Sequence, residues 1–331
     1  MVILDLMRAI GTLSVGQTAD IAATSDDLDA VRRWCAHTGN TLAGAEFDHA
    51  GRGHVVIRRG PAPDPRLALA PDRMPGARLW LYTNFHCNLH CDYCCVASSP
   101  RAARRELGAE RIARLVAEAA DWGASQIFLT GGEPFLLPDI DRIVRDCTRR
   151  LPTVLLTNGM LFRGRGLSAL RAMPRDQFAL QISVDSATPA LHDAHRGRGS
   201  WAKAVSGIEI ALAAGFRVRV AATIAESRPD TIVALHAFLD GLGIPREEQI
   251  IRPVAKQGAA TSGVQLSRES LVPEITVTVD GVYWHPVAAS DERALVRRQI
   301  EPLRPALDEI YRQFCNQWAH TQSRLTLFPC A

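Results

Sequence analysis

The sequence predicts an α/β protein whose larger part is a partial (β/α)6 TIM-like barrel. Strand-like apolar runs alternate with helical stretches over 78–258, a proline-rich segment precedes these repeats, and the alternation stops after residue 270. Six βα units are two fewer than a complete eight-fold barrel contains. The predicted organisation is an amino-terminal α+β domain at 1–59, a linker at 60–77, the partial barrel at 78–258 and a hairpin-plus-helices extension at 259–331.

Composition excludes several classes of protein. The chain has 331 residues, of which 47% are hydrophobic and 22% charged, and its net charge is +3. This balance is typical of a soluble globular protein and excludes low-complexity disorder. No apolar run reaches the roughly 18 residues of a membrane helix, and the amino terminus does not resemble a secretory signal. We therefore expect a cytoplasmic protein that binds neither membranes nor nucleic acid.

The first 59 residues have the pattern of a small α+β domain. Helices are predicted at 3–13 and 27–38, and strands at 18–23, 41–47 and 54–59. The stretches Leu13–Gln17, Ala23–Asp27, Trp34–Asn40 and Val56–Arg59 resemble the TusA/SirA sulfur-carrier family. That family carries sulfur on a cysteine in a Cys-Pro-x-Pro motif, and we expect this chain to begin too late to contain one. Cys35 matches a helix position instead, so the resemblance implies docking or scaffolding more than sulfur delivery.

Repeated prolines between Gly60 and Pro75 predict a semi-rigid linker, because proline disfavours helices and central strands. The barrel elements follow. Strands are predicted at 78–83, 126–130, 153–157, 178–184, 217–224 and 249–254, and helices at 107–122, 138–150, 165–173, 200–214 and 229–241. Beyond them, 274–279 and 282–284 predict a hairpin around Asp280-Gly281, and two helical segments complete the chain. Residues just past the carboxyl ends of the barrel strands are the expected active-site residues.

A cysteine motif follows the first barrel strand. Four of the eight cysteines lie within nine residues, and Cys87, Cys91 and Cys94 form a Cys-x3-Cys-x2-Cys pattern. Three thiolates this close can hold three irons of a cubane cluster and leave the fourth iron for an outside ligand. A zinc site is the alternative, with His86 or His90 as the fourth ligand. The spacing alone leaves both kinds of site open.

Further motifs follow successive strands. They are Thr130-Gly131-Gly132-Glu133-Pro134, Leu155–Gly159, Gln181–Ser186 and the run His192-Asp193-Ala194-His195-Arg196-Gly197. Together with the cysteine loop, they resemble the radical S-adenosylmethionine (radical SAM) superfamily, in particular the branch of MoaA, PqqE and the peptide-maturing SPASM-twitch enzymes. The resemblance extends over roughly 78–258.

This resemblance implies a cofactor site. Cys87, Cys91 and Cys94 would ligate a 4Fe–4S cluster. S-adenosylmethionine would be bound by Tyr93, Gly131, Gly132, Glu133, Asn158, Ser183, Arg196 and Val254. The reduced cluster would cleave S-adenosylmethionine to a 5′-deoxyadenosyl radical, which abstracts hydrogen from a C–H bond of a peptide or small metabolite. A flavodoxin- or ferredoxin-like protein would supply the electron.

Two more residues are candidates for catalysis. Asp185, at the end of the fourth barrel strand, could act as a base or anchor, or could cap its own turn. Cys330 could donate a hydrogen atom or cap the site, although a thiol so near the terminus could also lie in a mobile tail without a role. Cys95 and Cys147 are interpreted as packed thiols. The hairpin lacks the cysteines common in relatives, so we expect a degenerate twitch-like extension without an auxiliary cluster.

The sequence leaves two alternative functions open. One is a radical SAM enzyme that forms C–S bonds with sulfur from the amino-terminal domain, and the missing ligands for a second cluster argue against it. The other is a non-catalytic sulfur-carrier or cluster adaptor. The intact cysteine loop and Gly131-Gly132-Glu133 argue against an adaptor, because a scaffold needs neither motif.

Overall fold

The computed structural model describes residues 2–61, 64–225, 229–321 and 325–331. Two units are distinguished: Met1–Pro71 with Arg312–Leu325, and Asp72–Tyr311 with Thr326–Ala331. The finer domain boundaries expected from the sequence stay predictions. In the described ranges, no helix combines the length and apolar character needed to cross a membrane.

The first unit contains a three-stranded antiparallel sheet packed with helices. Its elements are α1 Val2–Ile10, β1 Thr18–Thr24, α2 Leu28–Thr38, β2 Thr41–Phe47 and β3 Arg52–Arg58. The strand order is β1-β3-β2, and Leu6, Val31, Val55 and Ile57 form the centre of the core. All five predicted elements are present with small shifts, the largest being α1, which ends at Ile10 instead of residue 13.

The proline-rich segment contains one short helix, α3 Pro65–Ala68, where the sequence predicted only a linker. The Asp64 side chain accepts a hydrogen bond from the Arg66 amide and thereby caps the helix. Pro65 stands in the first turn, where its missing N–H is not needed. Ala62 and Pro63 of the predicted linker lie outside the described residues.

The second unit contains the predicted βα repeats. Its strands are β4 Arg78–Tyr82, β5 Gln126–Thr130, β6 Thr153–Thr157, β7 Phe178–Ser183, β8 Arg217–Ile224 and β9 Gln249–Pro253. The helices are α4 Ala109–Trp122, α5 Ile140–Thr148, α6 Arg165–Ala172, α7 Pro189–Arg196, α8 Ser200–Ala213 and α9 Pro229–Gly241. Each strand pairs in parallel with the next one, which confirms the α/β fold class. Their carboxyl ends therefore lie along one edge of the sheet. Only α7 was not predicted as a helix.

The predicted hairpin forms, and it extends the barrel sheet. β10 Ile275–Thr278 and β11 Gly281–Tyr283 are antiparallel, and β12 Leu295–Arg297 pairs with β11. Where two helical segments were predicted, the described residues after β12 form one α-helix, α10 Arg304–Thr321. β10 also lies parallel to β4, with Ile275 opposite Leu79, so the sheet has nine strands in the order β12-β11-β10-β4-β5-β6-β7-β8-β9. The sequence predicted the hairpin and gave no indication of this pairing.

Candidate functional site

The loop after β4 runs alongside the turn after β5. The Gly132 amide donates to the Asn84 carbonyl at 2.9 Å, and the Glu133 amide donates to the His86 carbonyl at 3.0 Å. The buried Asn84 side chain donates to the carbonyls of His86 and Glu133. These contacts continue the pairing of β4 and β5 past their ends. The start of the cysteine loop is therefore held by the Gly-Gly-Glu turn.

The two glycines of that turn are required by the close approach. A Cβ added to Gly131, whose φ is +153°, would lie 2.5 Å from the Asn84 carbonyl oxygen. A Cβ added to Gly132 would overlap the His86 carbonyl group. Both obstacles are backbone atoms that cannot rotate away, so a side chain at either position would push the cysteine loop outward.

The Glu133 carboxylate connects this turn to the end of β6. It is fully buried and accepts hydrogen bonds from the Phe135 amide at 3.0 Å, the Thr157 hydroxyl at 2.8 Å and the Asn158 amide at 2.8 Å. Burial raises the pKa of Glu133, and the three hydrogen bonds oppose that rise. The Asn158 side chain in turn donates to Asn88 Oδ1, in the cysteine loop, at 2.8 Å.

The second half of the cysteine loop is held by α7. The Asp92 amide donates to the His195 carbonyl at 3.2 Å, and the Asp92 carboxylate lies 2.9 Å from His195 Nδ1. The Tyr93 hydroxyl donates to the Asp185 carboxylate, and the Arg196 guanidinium lies 5.5 Å from the centre of the Tyr93 ring. Loop residues between the second and third cysteines are thus fixed by the end of α7 and by β7.

Asp185 forms a buried ion pair with Arg196. Arg196 Nε and Nη2 donate to the carboxylate at 2.6 and 3.1 Å, and the Thr223 amide donates to it at 3.0 Å. With the Tyr93 hydroxyl, each oxygen accepts two hydrogen bonds, which uses the lone pairs of the carboxylate. Burial by itself would raise the pKa of Asp185, but the Arg196 charge and the hydrogen bonds lower it below the ordinary value. Of the predicted roles, this arrangement favours an anchor over a base.

Two other residues of the run from His192 to Gly197, His192 and Asp193, also make hydrogen bonds that stabilise the local structure. His192 is buried, and its Nδ1 accepts a hydrogen bond from the Asp185 amide at 3.1 Å. Burial, followed by the Arg196 charge, lowers the pKa of His192 to about 4. Asp193 accepts hydrogen bonds from the amides of Gly199 and Trp201 and so holds the start of α8.

These loops and strand ends enclose a cavity of about 190 Å³. Ten of the residues predicted for the site line it: Cys87, Cys91, Tyr93, Cys94, Gly131, Gly132, Asn158, Ser183, Arg196 and Cys330. Glu133, Asp185 and Val254 are not among the lining residues. Instead, Glu133 and Asp185 form hydrogen bonds with residues that do line it, Glu133 with Asn158 and Asp185 with Arg196. Val254 is buried between Pro253 and Ala255, which do line the cavity.

The three thiols of the motif are suited to an iron–sulfur cluster. Cys87 Sγ accepts a hydrogen bond from the Leu89 amide at 3.4 Å, and Cys94 Sγ accepts one from the Ser98 amide at 3.3 Å. Burial raises the pKa of Cys87 to about 12 and also raises the pKa of Cys91. Both thiols are therefore protonated at neutral pH, and a metal centre would favour their thiolate forms by supplying positive charge. A ligated thiolate would then keep the amide hydrogen bonds, which tune such clusters.

A site for a single metal ion would need several ligand atoms that converge on one point. Over the described ranges, no three His, Cys, Asp or Glu side chains are grouped as ligands of one ion. In a cubane each cysteine binds a different iron, so the three sulfurs need not converge on one point. His86 and His90, the ligands considered for zinc, are not among the residues that line the cavity.

Several lining residues were not predicted for the site. Cys95, interpreted from the sequence as a packed thiol, lines the cavity, and its Sγ lies 3.7 Å from the Tyr82 hydroxyl. Thr223 also lines it, and its place at the carboxyl end of a predicted strand could have identified it as a candidate. Arg252 and Pro253, which precede Val254 in the strand expected to flank adenine, line the cavity as well. The interpretation of Cys330 as a thiol in a mobile tail was wrong, because the residue is 7% exposed and lies in the cavity wall.

Residues 81–225 match the family model of the radical SAM superfamily. The chain contains a radical SAM domain. The matched range begins in β4, ends after β8 and contains the cysteine loop, the Gly-Gly-Glu turn and the Asp185–Arg196 pair. It does not include the first unit or Cys330.

The proteins similar to this chain include two curated relatives and one solved structure. The AdoMet-dependent heme synthase of Methanosarcina barkeri is 31% identical over 159 residues, which are 47% of this chain and 45% of the relative. The PqqA peptide cyclase of Ruegeria pomeroyi is 34% identical over 135 residues, 40% of this chain and 34% of that protein. The chain thus spans less than half the length of either one. The structure of Streptococcus suis SuiB bound to precursor peptide SuiA covers 74% of this chain and 55% of its own, with a TM-score of 0.51 at 18% identity, and it supports the fold alone.

Gly132→Ala should displace the cysteine loop of the radical SAM domain, because the new methyl group meets the His86 carbonyl group. We expect less iron per chain after anaerobic reconstitution, measured by a colorimetric iron assay. Gly241→Ala is the matched control, since a Cβ there has no neighbour within 4 Å and should leave the iron content unchanged. Equal iron contents in the two variants would contradict the required close approach.

Asp185→Asn should destabilise the second unit by about 3–5 kcal/mol, because it leaves the buried Arg196 charge without its partner. Urea unfolding followed by circular dichroism would measure the change. Asp141→Asn, which removes the surface pair with Arg145 on α5, should cost only about 0.3–0.5 kcal/mol. If the two substitutions cost the same, the buried pair does not have the anchoring role described here.

Stability should also depend on the protonation of His192. The unfolded chain takes up the proton near the ordinary pKa of 6.5, whereas folded His192 stays neutral down to about pH 4. The free energy of unfolding should therefore fall as the pH is lowered from 6.5 to 4, by at most about 3 kcal/mol from this residue. Urea unfolding of cluster-free protein across this window should show a shallower pH dependence for His192→Gln. A slope unchanged by that substitution would refute the assignment.

Proposed function

We propose that this protein is a radical SAM enzyme that acts on a C–H bond of a peptide or a small metabolite. One observation carries the proposal: the three thiols of the motif share a cavity with the residues expected to hold S-adenosylmethionine. When bound, the 4Fe–4S cluster and S-adenosylmethionine would supply reductive C–S cleavage and a 5′-deoxyadenosyl radical.

The chain's own residues would bind and orient these groups. Cys87, Cys91 and Cys94 would hold the cluster. The backbone at Gly131 and Gly132 borders the cavity without side chains, which leaves room for the methionine part of the cosubstrate. Ser183 and Arg196 line the same cavity and would contact the ribose or carboxylate. Because Arg196 is already fixed by Asp185, it would offer a charge whose position is set before the cosubstrate binds.

Glu133 would act through its neighbours. Its carboxylate accepts three hydrogen bonds from the chain, which leaves it turned away from the cavity. We therefore assign to it the positioning of Asn158, and to the backbone of the glycine turn the contact with the cosubstrate. Asp185 would position Arg196 and Tyr93 in the same way.

The peptide or metabolite substrate is proposed from the relatives. The heme synthase and the PqqA peptide cyclase share the radical SAM region with this chain at 31% and 34% identity. Their names denote a cofactor-forming and a peptide-modifying enzyme, so the proposal includes both substrate classes. A flavodoxin- or ferredoxin-like protein would supply the electron. The eight cysteines are free thiols, which suits a reducing cytoplasm.

We propose a docking role for the first unit, within the TusA-like fold suggested by its sequence. Cys35 is 4% exposed, and burial raises its pKa, so it is a poor site for carrying a reactive persulfide. Sulfur delivery for C–S bond formation is therefore less well supported than docking of the substrate or of the electron donor.

The activity can be tested under anaerobic conditions with the full chain. After reconstitution with iron and sulfide, addition of dithionite and S-adenosylmethionine should give 5′-deoxyadenosine and methionine in equal amounts, measured by chromatography. Cys91→Ala should lower the iron content and reduce both products to background. Cys315→Ala, which removes a thiol that does not line the cavity, should behave like the parent protein. Binding of zinc without iron would refute the proposed function.

A further inference from the structure

The segment 326–331 forms one wall of the radical SAM cavity. Thr326 pairs with Leu271 in an isolated β-bridge, and the Val272 amide donates to the Thr326 carbonyl at 3.1 Å. Farther along, Phe328 and Cys330 are buried and line the cavity that also contains the three cluster cysteines. The segment is therefore fixed along its length and not only at one point.

Cys330 is held by two strands of the barrel. Its carbonyl oxygen accepts hydrogen bonds from Gln181 Nε2 on β7 at 3.0 Å and from an Arg252 guanidinium nitrogen on β9 at 2.6 Å. Arg252 also donates to the Thr223 hydroxyl at 3.2 Å, so its own position is fixed. These bonds set the backbone of Cys330, and the short side chain of cysteine has little further freedom.

Gln181 provides an independent sign that this part of the interior receives a ligand. The residue is 1% exposed, and its Oε1 has no hydrogen-bond partner among the described residues, although its Nε2 donates to Cys330. A buried acceptor without a donor is costly unless a bound group supplies one. Gln181 is not itself among the residues that line the cavity, so a substrate N–H or O–H would reach this acceptor only past Cys330.

Five thiols line the cavity, and only one of them is both outside the cluster motif and without a partner. Cys87, Cys91 and Cys94 belong to the motif. Cys95 Sγ is 3.7 Å from the Tyr82 hydroxyl and packs in a cluster with Tyr82 and Phe85. Within the described part of the chain, Cys330 Sγ makes no hydrogen bond. Burial raises its pKa well above the ordinary value, which keeps it a thiol at neutral pH.

We propose that Cys330 donates a hydrogen atom to the carbon radical of the substrate, and that Gln181 and Arg252 are positioning residues for this donor. The inference rests on the proposed function. An S–H bond is weaker than an aliphatic C–H bond, so a carbon radical beside the thiol takes its hydrogen. The substrate would keep its oxidation level, with inverted configuration if the hydrogen arrives on the face opposite to the one that lost it.

The electrons and protons balance in the following way. The S–H bond of Cys330 breaks, a C–H bond forms on the substrate, and a thiyl radical remains on Cys330. One electron from the low-potential iron–sulfur or flavin protein that also reduces the cluster, together with one proton from water, restores the thiol. Each turnover then consumes two electrons and one S-adenosylmethionine, and the substrate is neither oxidised nor reduced.

Deuterium transfer tests the donor without knowledge of the substrate. Thiol hydrogens exchange with D2O. Without added substrate the 5′-deoxyadenosyl radical is the carbon radical in the cavity, so it should take deuterium from Cys330 and leave a thiyl radical there. S-adenosylmethionine cleaved in D2O should therefore give 5′-deoxyadenosine with one deuterium, measured by mass spectrometry. Cys330→Ala and Cys330→Ser should form 5′-deoxyadenosine without that label. Cys95→Ser should retain it, and so should Cys315→Ser, whose thiol does not line the cavity.

The outcomes separate the two proposals. If no variant and no parent protein forms 5′-deoxyadenosine, the proposed function fails. If 5′-deoxyadenosine forms but lacks deuterium in the parent protein, or keeps it in both Cys330 variants, the donor assignment is overturned. Loss of the label in Cys95→Ser alone would assign the donor to Cys95 instead.

Two further measurements test the placement. Gln181→Leu removes the hydrogen bond to the Cys330 carbonyl and should lower the labelled fraction while the iron content and the midpoint of thermal unfolding stay close to the parent values; a purely structural role would not change the label. Cys330→Trp should fill the cavity and weaken S-adenosylmethionine binding to unreduced, cluster-loaded protein at least about tenfold, measured by calorimetry. Cys315→Ser, at a residue that does not line the cavity, should bind with the parent affinity. Parent-like affinity in a folded Cys330→Trp variant would place Cys330 away from the reacting groups.

Discussion

The contact on which the site depends is the one between two stretches of backbone, Asn84–His86 and Gly131–Glu133. It brings the start of the cysteine loop to the end of β5 with no side chain between them, which only glycine permits. Next to this contact, the Glu133 carboxylate accepts hydrogen bonds from Thr157 and Asn158. The Asn158 side chain in turn donates a hydrogen bond to Asn88 in the cysteine loop. A loop that could otherwise move is thus fixed by a closed circuit of hydrogen bonds within the chain.

The other half of the loop depends on a buried charge pair. Burial of Asp185 and Arg196 costs free energy because both charges lose their contact with water. The hydrogen bonds offset this cost, since each carboxylate oxygen accepts two of them. The pair joins β7, α7, β8 and the cysteine loop at one point. Its contribution is therefore mainly geometric: it selects one arrangement of four elements, and it sets the orientation of Arg196 beside the cavity.

The sequence predicted the strands and the motifs that follow them, but it did not predict contacts between residues that are far apart in the chain. The strands β4 to β9 could be recognised because buried parallel strands give short apolar runs, and the site motifs follow those strands directly. The pairing of β10 with β4 joins residues far apart in the chain, so periodicity contains no signal for it. The same is true of Cys330, whose surroundings depend on Gln181 and Arg252. The sequence also does not show which way a side chain points. Glu133 and Val254 were expected to contact the cofactor but do not line the cavity, whereas Cys95 does.

The distance along the chain between Cys330 and its barrel partner has a consequence for how the protein is made. Gln181 and Cys330 are 149 residues apart, and β10 reaches its place beside β4 only after the whole barrel has been synthesised. Domains generally begin to fold from the amino-terminal side during translation. A nascent chain that has reached residue 258 therefore already has its three cluster ligands, because they lie within one loop, but it lacks the wall formed by 326–331. The ligands are thus synthesised well before the cavity around them can be completed.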